Sequence, residues 1–151
     1  MIPFVDTSIL CAIYRKQENS ALADAVLANF KAPMGISSLV AFEFRQAARL
    51  QAFRYSSDKK QGFSKSVSEK MLAQFDVNLT AGAILILPVD WADVHSLAER
   101  LSARHTTTTG QRSLDILHVA TAIHAGSQEF LTFDLNQAAL ARAEGLNVLP
   151  D

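Results

Sequence analysis

Residues 129–149 read Glu-Phe-Leu-Thr-Phe-Asp-Leu-Asn-Gln-Ala-Ala-Leu-Ala-Arg-Ala-Glu-Gly-Leu-Asn-Val-Leu, and the order of patterns within them decides the fold. The apolar opening predicts a strand from Glu129 to Thr132. Leu135 to Glu144 then reads as a helix closed by Gly145, and Asn147 to Leu149 as a last short strand. Two strands joined through one helix return the chain to the same end of a sheet, so they run parallel. The alternation recurs upstream. Ile2-Pro3-Phe4-Val5 is a short apolar run ending at Asp6, Met34-Gly35-Ile36 follows Pro33, and Ile84-Leu85-Ile86-Leu87-Pro88-Val89 reads as a buried strand. Helices are predicted between them: one capped by Thr7 or Ser8, one capped by Ser20 from Ala21 to Phe30, and one capped by Ser37 or Ser38 from Leu39 past Leu50. Further helices are expected from about Ser66 to Ala81, from Trp91 to Arg104 behind Asp90, and from Ser113 through Ala125. Residues 55–65, broken by Gly62, read as a loop or a frayed helix end, and Thr106 to Gly110 as a loop. The strands are continuous apolar runs and not alternating ones, the mark of a sheet covered on both faces. The reading is an α/β fold around a mainly parallel sheet.

A chain of 151 residues, 49% of them apolar and nine of them Phe, has the size of a single domain, 1–151, and can bury a core without disulfides or a structural metal. A bound cation would therefore serve chemistry and not folding. The one cysteine, Cys11, has no partner in the chain, which fits a reducing compartment. The N-terminus has no basic region of the kind that opens a signal peptide, and no apolar run approaches the roughly 20 residues that span a bilayer. A cytoplasmic protein with no membrane partner is expected. The net charge is −1, yet residues 45–70 carry seven basic residues (Arg45, Arg49, Arg54, Lys59, Lys60, Lys65, Lys70) against Asp58 and Glu69, a local +5. Such asymmetry predicts a basic lobe beside an acidic one.

Acids inside apolar stretches are informative because charged groups are seldom buried alone. Four stand out. Asp6 ends the first strand, Glu43 interrupts Leu39-Val40-Ala41-Phe42 and Phe44, Asp115 opens a helix that is apolar nearly all round, and Asp134 follows Phe130-Leu131-Thr132-Phe133. In a parallel α/β sheet the helix N-termini lie at the carboxyl edge of the strands, so Asp6, Asp115 and Asp134 share that edge. Glu43 sits about a turn down its helix and leans back toward it. Carboxylates crowded there repel, and a divalent cation relieves the repulsion. Hard oxygen donors with no Cys or His cluster favour Mg²⁺ or Mn²⁺ over zinc. Taken singly, Asp6, Asp115 and Asp134 also read as ordinary helix caps or first-turn acids, and Glu43 as a surface glutamate.

At these residues the chain resembles the PIN-domain family, in particular its VapC-type toxins of toxin–antitoxin pairs. The matching blocks are FVDTSIL around Asp6, SSLVAFEF around Glu43, RSLDILHVATAI around Asp115 and FLTFDLNQAALARAEGLNV around Asp134. The resemblance implies a three-layer sandwich with a central sheet of about five strands flanked by helices. It implies that Asp6, Glu43, Asp115 and Asp134 hold Mg²⁺ (or Mn²⁺) and activate water to hydrolyse RNA, with Thr7, Thr132 and Asn136 hydrogen-bonding behind them. It also implies a small antitoxin protein as partner, and a homodimer. Arg45, Arg49 and Arg112 are candidates to hold RNA phosphates or the antitoxin.

Other polar residues carry weaker expectations. The four histidines lack metal-ligand spacing, and His118, one turn from Asp115, reads first as a satisfied helix histidine. Ser8 has no surroundings that make a nucleophile. Cys11, Trp91 and most Phe residues read as core, with Tyr55 and Phe63 as candidates to stack on bases. A haloacid-dehalogenase-like phosphatase would need an acid where Ser8 stands and a late lysine, but the last lysine is Lys70. A receiver domain fails on the same points. A catalytically silent PIN fold that binds RNA or protein remains the alternative from a different class.

Overall fold

The computed structural model describes residues 1–151. Five short strands form the sheet: β1 (Phe4–Val5), β2 (Met34–Ile36), β3 (Ile84–Ile86), β4 (Glu129–Leu131) and β5 (Asn147–Leu149). Seven helices connect them: α1 (Thr7–Tyr14), α2 (Ser20–Leu27), α3 (Ser38–Ser57), α4 (Lys65–Thr80), α5 (Trp91–Thr109), α6 (Ser113–His124) and α7 (Leu135–Ala143). The sheet order is β3-β2-β1-β4-β5 and every pairing is parallel. The sheet is therefore wholly parallel, not mainly so.

The order explains the layers. From β1 the chain steps outward to β2 and β3, then returns across the sheet to β4 and continues to β5. Right-handed crossovers taken in opposite directions place their helices on opposite faces. Accordingly α1, α2, α3 and α4 pack on one another, as α5, α6 and α7 do separately. The direction reverses between β1 and β4, and at such a switch point the diverging helices leave a crevice beyond the strand carboxyl ends. Phe4 pairs with Phe130 across this central pair, and their rings stack with centroids 5.6 Å apart. The buried apolar side chains join into one continuous cluster that includes Phe4, Phe44, Phe75 and Phe130.

Several boundaries differ from the sequence reading, each for a local reason. The third strand stops at Ile86 and does not reach Val89. It is an edge strand with Ile86 46% exposed, and Pro88 has no N–H to offer a ladder. The segment 106–110 is not a loop: α5 continues to Thr109 and ends on Gly110, whose left-handed backbone (φ 65°) gives the stop. The third helix runs on to Ser57, and only 58–64 is a connection. There Gly62 has φ +60°, and a Cβ would lie 2.1 Å from the Gln51 carbonyl oxygen, so no larger residue fits this return against α3. Ser20 and Ser113 begin their helices instead of capping them. Two expected core residues, Phe42 and Phe53, are exposed at 62% and 67%.

Candidate active site

The crevice at the switch point is about 460 Å³ and is lined by Asp6, Glu43, Asp115 and Asp134, with Thr7, Ser8, Arg112 and Gln137 between them. Each acid arrives there by a different local device. Asp6 leaves β1 with extended backbone (φ −88°, ψ 175°) and becomes the N-cap of α1, its Oδ1 accepting from the backbone N–H groups of Ser8 and Ile9 at 3.0 and 3.2 Å. Asp134 does the same for α7, accepting from Asn136 and Gln137 at 2.9 Å each. Asp115 lies in the first turn of α6 and Glu43 in the second turn of α3. Thr7 and Ser8 therefore do not cap α1. Asp6 and Asp134 are caps and cleft-lining groups at once, because Oδ1 serves the helix and Oδ2 does not.

Burial separates the four. Asp6 and Asp115 are 2% and 5% exposed, whereas the side chains of Asp134 and Glu43 are 28% and 25% exposed. Burial raises the pKa of the Asp6 carboxyl above its ordinary value, against opposing hydrogen bonds from Ser8, Thr132 and the Ile9 backbone and the charge of His118.

Neighbouring side chains hold every carboxylate. Ser8 Oγ donates to Asp6 Oδ1 at 2.6 Å and Thr132 Oγ1 donates to Asp6 Oδ2 at 2.7 Å. The same two hydroxyls accept from the backbone N–H groups of Phe133 and Asp134, at 2.8 and 2.9 Å, which locks the ends of β1 and β4 together. Thr7 Oγ1 donates to Glu43 Oε1 at 3.4 Å, and the fully buried ring of His118 bonds through Nε2 to Glu43 Oε2. Gln137 Nε2 donates to Asp115 Oδ1 at 3.0 Å. Arg112 reaches Asp115 Oδ2 through Nε at 3.1 Å and lies 3.7 Å from Asp134 Oδ2.

Of the three residues expected to hydrogen-bond behind the acids, Thr7 reaches Glu43 and Thr132 reaches Asp6. The Asn136 side chain makes no hydrogen bond to the acids, and only its backbone N–H reaches Asp134. Ser8 and Gln137 were not foreseen in these roles, and for His118, one turn from Asp115, a place behind the acids was the weaker of two readings, although spacing held a clue. Gln137 follows Asp134 by three residues, the position a helix cap addresses. His118 follows Asp115 by three and so shares its helix face.

As the side chains stand, no three of the His, Cys, Asp and Glu residues meet closely enough to ligate one ion. The donor set nonetheless fits a hard divalent cation in kind. All four are carboxylates at one crevice, Asp134 and Glu43 have exposed room to move, and the positive charge between Asp115 and Asp134 is supplied by a displaceable arginine. The buried Gln137 Oε1 has no hydrogen-bond partner beside Asp115, an acceptor without a donor at the rim of the crevice. A second hollow of about 340 Å³, between α1 and α3 near Cys11 and Phe63, is lined by no acid and offers no comparable chemistry.

The basic residues divide. Arg45 pairs with Asp76 at 2.9 Å and lies over the Phe75 ring at 5.0 Å, so it braces α3 against α4. Arg49 is exposed and makes no ion pair. The base-stacking expectation for Phe63 fails, because its ring is buried beneath the Arg15 guanidinium at 4.5 Å. The Tyr55 ring is likewise covered, with Lys59 at 4.4 Å.

The family described as PIN domain matches residues 4–143 of this chain. No curated protein matches it. Among solved structures it is similar to VapC20 of Mycobacterium tuberculosis, described as a Sarcin-Ricin loop cleaving toxin, with TM-score 0.64 and 20% identity over 90% of this chain and 92% of that one. FitAcB of Neisseria gonorrhoeae superposes with TM-score 0.66 and 18% identity, covering 98% and 96%. VapBC2 of Rickettsia felis, bound to a DNA fragment from its promoter, gives 0.62 and 19%, covering 98% and 97%. At these identities the likeness establishes a shared fold.

Proposed function

The chain belongs to the PIN-domain family, and from that premise we propose that it is a Mg²⁺- or Mn²⁺-dependent endoribonuclease, the toxin of a type II toxin–antitoxin pair. One observation carries the proposal: four carboxylates from four separate elements line the crevice at the topological switch point. Burying acids without a counter-charge is costly, and a fold retains such an arrangement where the charge has work to do. Asp6, Glu43, Asp115 and Asp134 would hold the ion, which when bound lowers the pKa of water and neutralises charge on the phosphodiester.

The residues around them supply position. Ser8 and Thr132 fix the rotamer of Asp6, Gln137 orients Asp115, and His118 with Thr7 holds Glu43. The Glu43–His118 pair offers a place for a proton taken from the attacking water, with Glu43 at the crevice and His118 buried behind it. Arg49, like Arg54 further along, is an exposed basic residue of α3 with no ion pair, free to meet a phosphate. RNA is favoured as substrate by the +5 segment that follows Glu43 in the chain, together with the family. Exposed Leu50 and Phe53 lie further along α3, and an apolar surface of this kind suits a protein partner such as an antitoxin. By family expectation the chain is a single domain over 1–151, acts as a homodimer and resides in the cytoplasm. No helix is long and apolar enough to cross a membrane.

The test substitutes the acids without changing their shape. Asp6→Asn and Asp115→Asn should each lower RNA cleavage by at least about a hundredfold, as loss of preorganised charge stabilisation does. Thermal stability should stay within about 1 kcal/mol of wild type, since the amide oxygen can still accept the cap bonds at position 6 or the Gln137 bond at position 115 while a desolvated charge disappears. Undiminished cleavage in both variants would reduce the acids to helix caps and leave the silent, binding-only reading.

A further inference from the structure

Arg112 is the only cation among the side chains that line the crevice, facing four carboxylates. Its guanidinium spans two of them that come from different elements: Asp115 in the first turn of α6, and Asp134 at the head of α7. We propose that Arg112 is a built-in stand-in for the divalent ion, which occupies the charge position in the metal-free protein and swings outward when the ion loads. This inference rests on the reading of the four acids as an ion site, and it goes beyond that reading by making arginine and ion alternatives.

The geometry requires the exchange. Arg112 contacts the Oδ2 atoms of both Asp115 and Asp134, whereas Oδ1 of Asp115 is held by Gln137 and Oδ1 of Asp134 caps α7. The Oδ2 atoms are therefore the ones left for an ion, and a divalent ion drawn to both would repel a guanidinium held against the same two oxygens. Departure is easy. The Arg112 side chain is 70% exposed and stands at the N-cap of α6 with no side-chain capping bond to break, and an ion pair whose arginine lies in solvent is held less tightly than one buried on both sides. A guanidinium turned outward from the same rim presents its planar fork to an incoming phosphate, a geometry that lysine does not reproduce. The same residue would quench carboxylate repulsion in the empty site and then receive the substrate backbone.

The experiment follows the exchange without RNA. Mg²⁺ is titrated into the ¹⁵N-labelled full chain while the Arg112 Nε–H and Gln137 side-chain amide resonances are recorded. In parallel, Mn²⁺ affinity is compared for wild type and Arg112→Gln. Both resonances should shift with one midpoint, and the Arg112 Nε–H should lose its protection from solvent exchange. Arg112→Gln should bind Mn²⁺ between about two- and thirtyfold tighter, the range set by releasing two ion pairs of a solvent-exposed arginine. A Gln137 response with an unmoved Arg112 signal and unchanged affinity in Arg112→Gln would overturn the inference and leave the ion site standing. No response from Gln137 and no Mn²⁺ binding by either chain would overturn the ion site and the inference with it.

Discussion

At the scale of single residues, one oxygen of Asp6 caps α1 and the other, anchored by Thr132, is placed at the crevice. The doubling explains why a cap reading and a catalytic reading of the same aspartate were both legible from sequence: strand end, helix start and acid coincide. The bridge from Ser8 to the Phe133 N–H and the bond from Gln137 to Asp115 were not legible, because they span 125 and 22 residues of the chain and only folding shows the contacts. Nearby Cys11 carries a consequence of the same acids. Burial first, and then the negative charges of Asp6 and Glu43, push its thiol from 9.0 up to about 11. Since the thiolate is the nucleophile, the rate of disulfide exchange with an aromatic disulfide reagent should be roughly a hundredfold below that of the denatured chain at pH 8. The rate should also keep rising with pH beyond 9 toward 11. A plateau near 9, or a rate equal to that of the unfolded protein, would show that these charges do not reach the thiol.

At the scale of elements, α3 shows how far charge counting can be trusted. Arg45 and Arg49 are one turn apart, so sequence places them on one stripe. The structure separates their roles, because α4 brings Asp76 and Phe75 under Arg45 and nothing under Arg49. Replacing Arg49 with Gln should lower the slope of log affinity for RNA against log salt by roughly one unit, with stability unchanged within about 0.5 kcal/mol. Replacing Arg45 with Gln should cost stability, about 1 kcal/mol for a half-exposed pair with its ring contact, and should leave that slope alone. The opposite pattern, measured by filter binding across a salt series and by thermal melts, would return Arg45 to the phosphate path and make Arg49 a bystander. Element types were readable from sequence because the strands are continuous apolar runs. The ends of β3 and α5 were not, because edge position and a left-handed Gly110 stop depend on the assembled sheet and the completed helix.

At the scale of the whole molecule, the strand order β3-β2-β1-β4-β5 brings the carboxyl ends of β1 and β4 side by side although about 125 residues separate them in the chain. Sequence indicated that the acids share one edge, since that follows from parallel connection alone. It could not show that Asp6 and Asp134 are neighbours within that edge, which depends on the return of the chain from β3 to β4. The central claim, that this convergence exists to hold a divalent ion for phosphodiester hydrolysis, is tested most directly by following cleavage of an internally labelled RNA by the purified chain. The reaction is run with Mg²⁺, with EDTA, and with Mg²⁺ restored in excess. The account predicts internal cleavage with Mg²⁺, none in EDTA and full recovery on restoring the ion. Cleavage that proceeds undiminished in EDTA would contradict it.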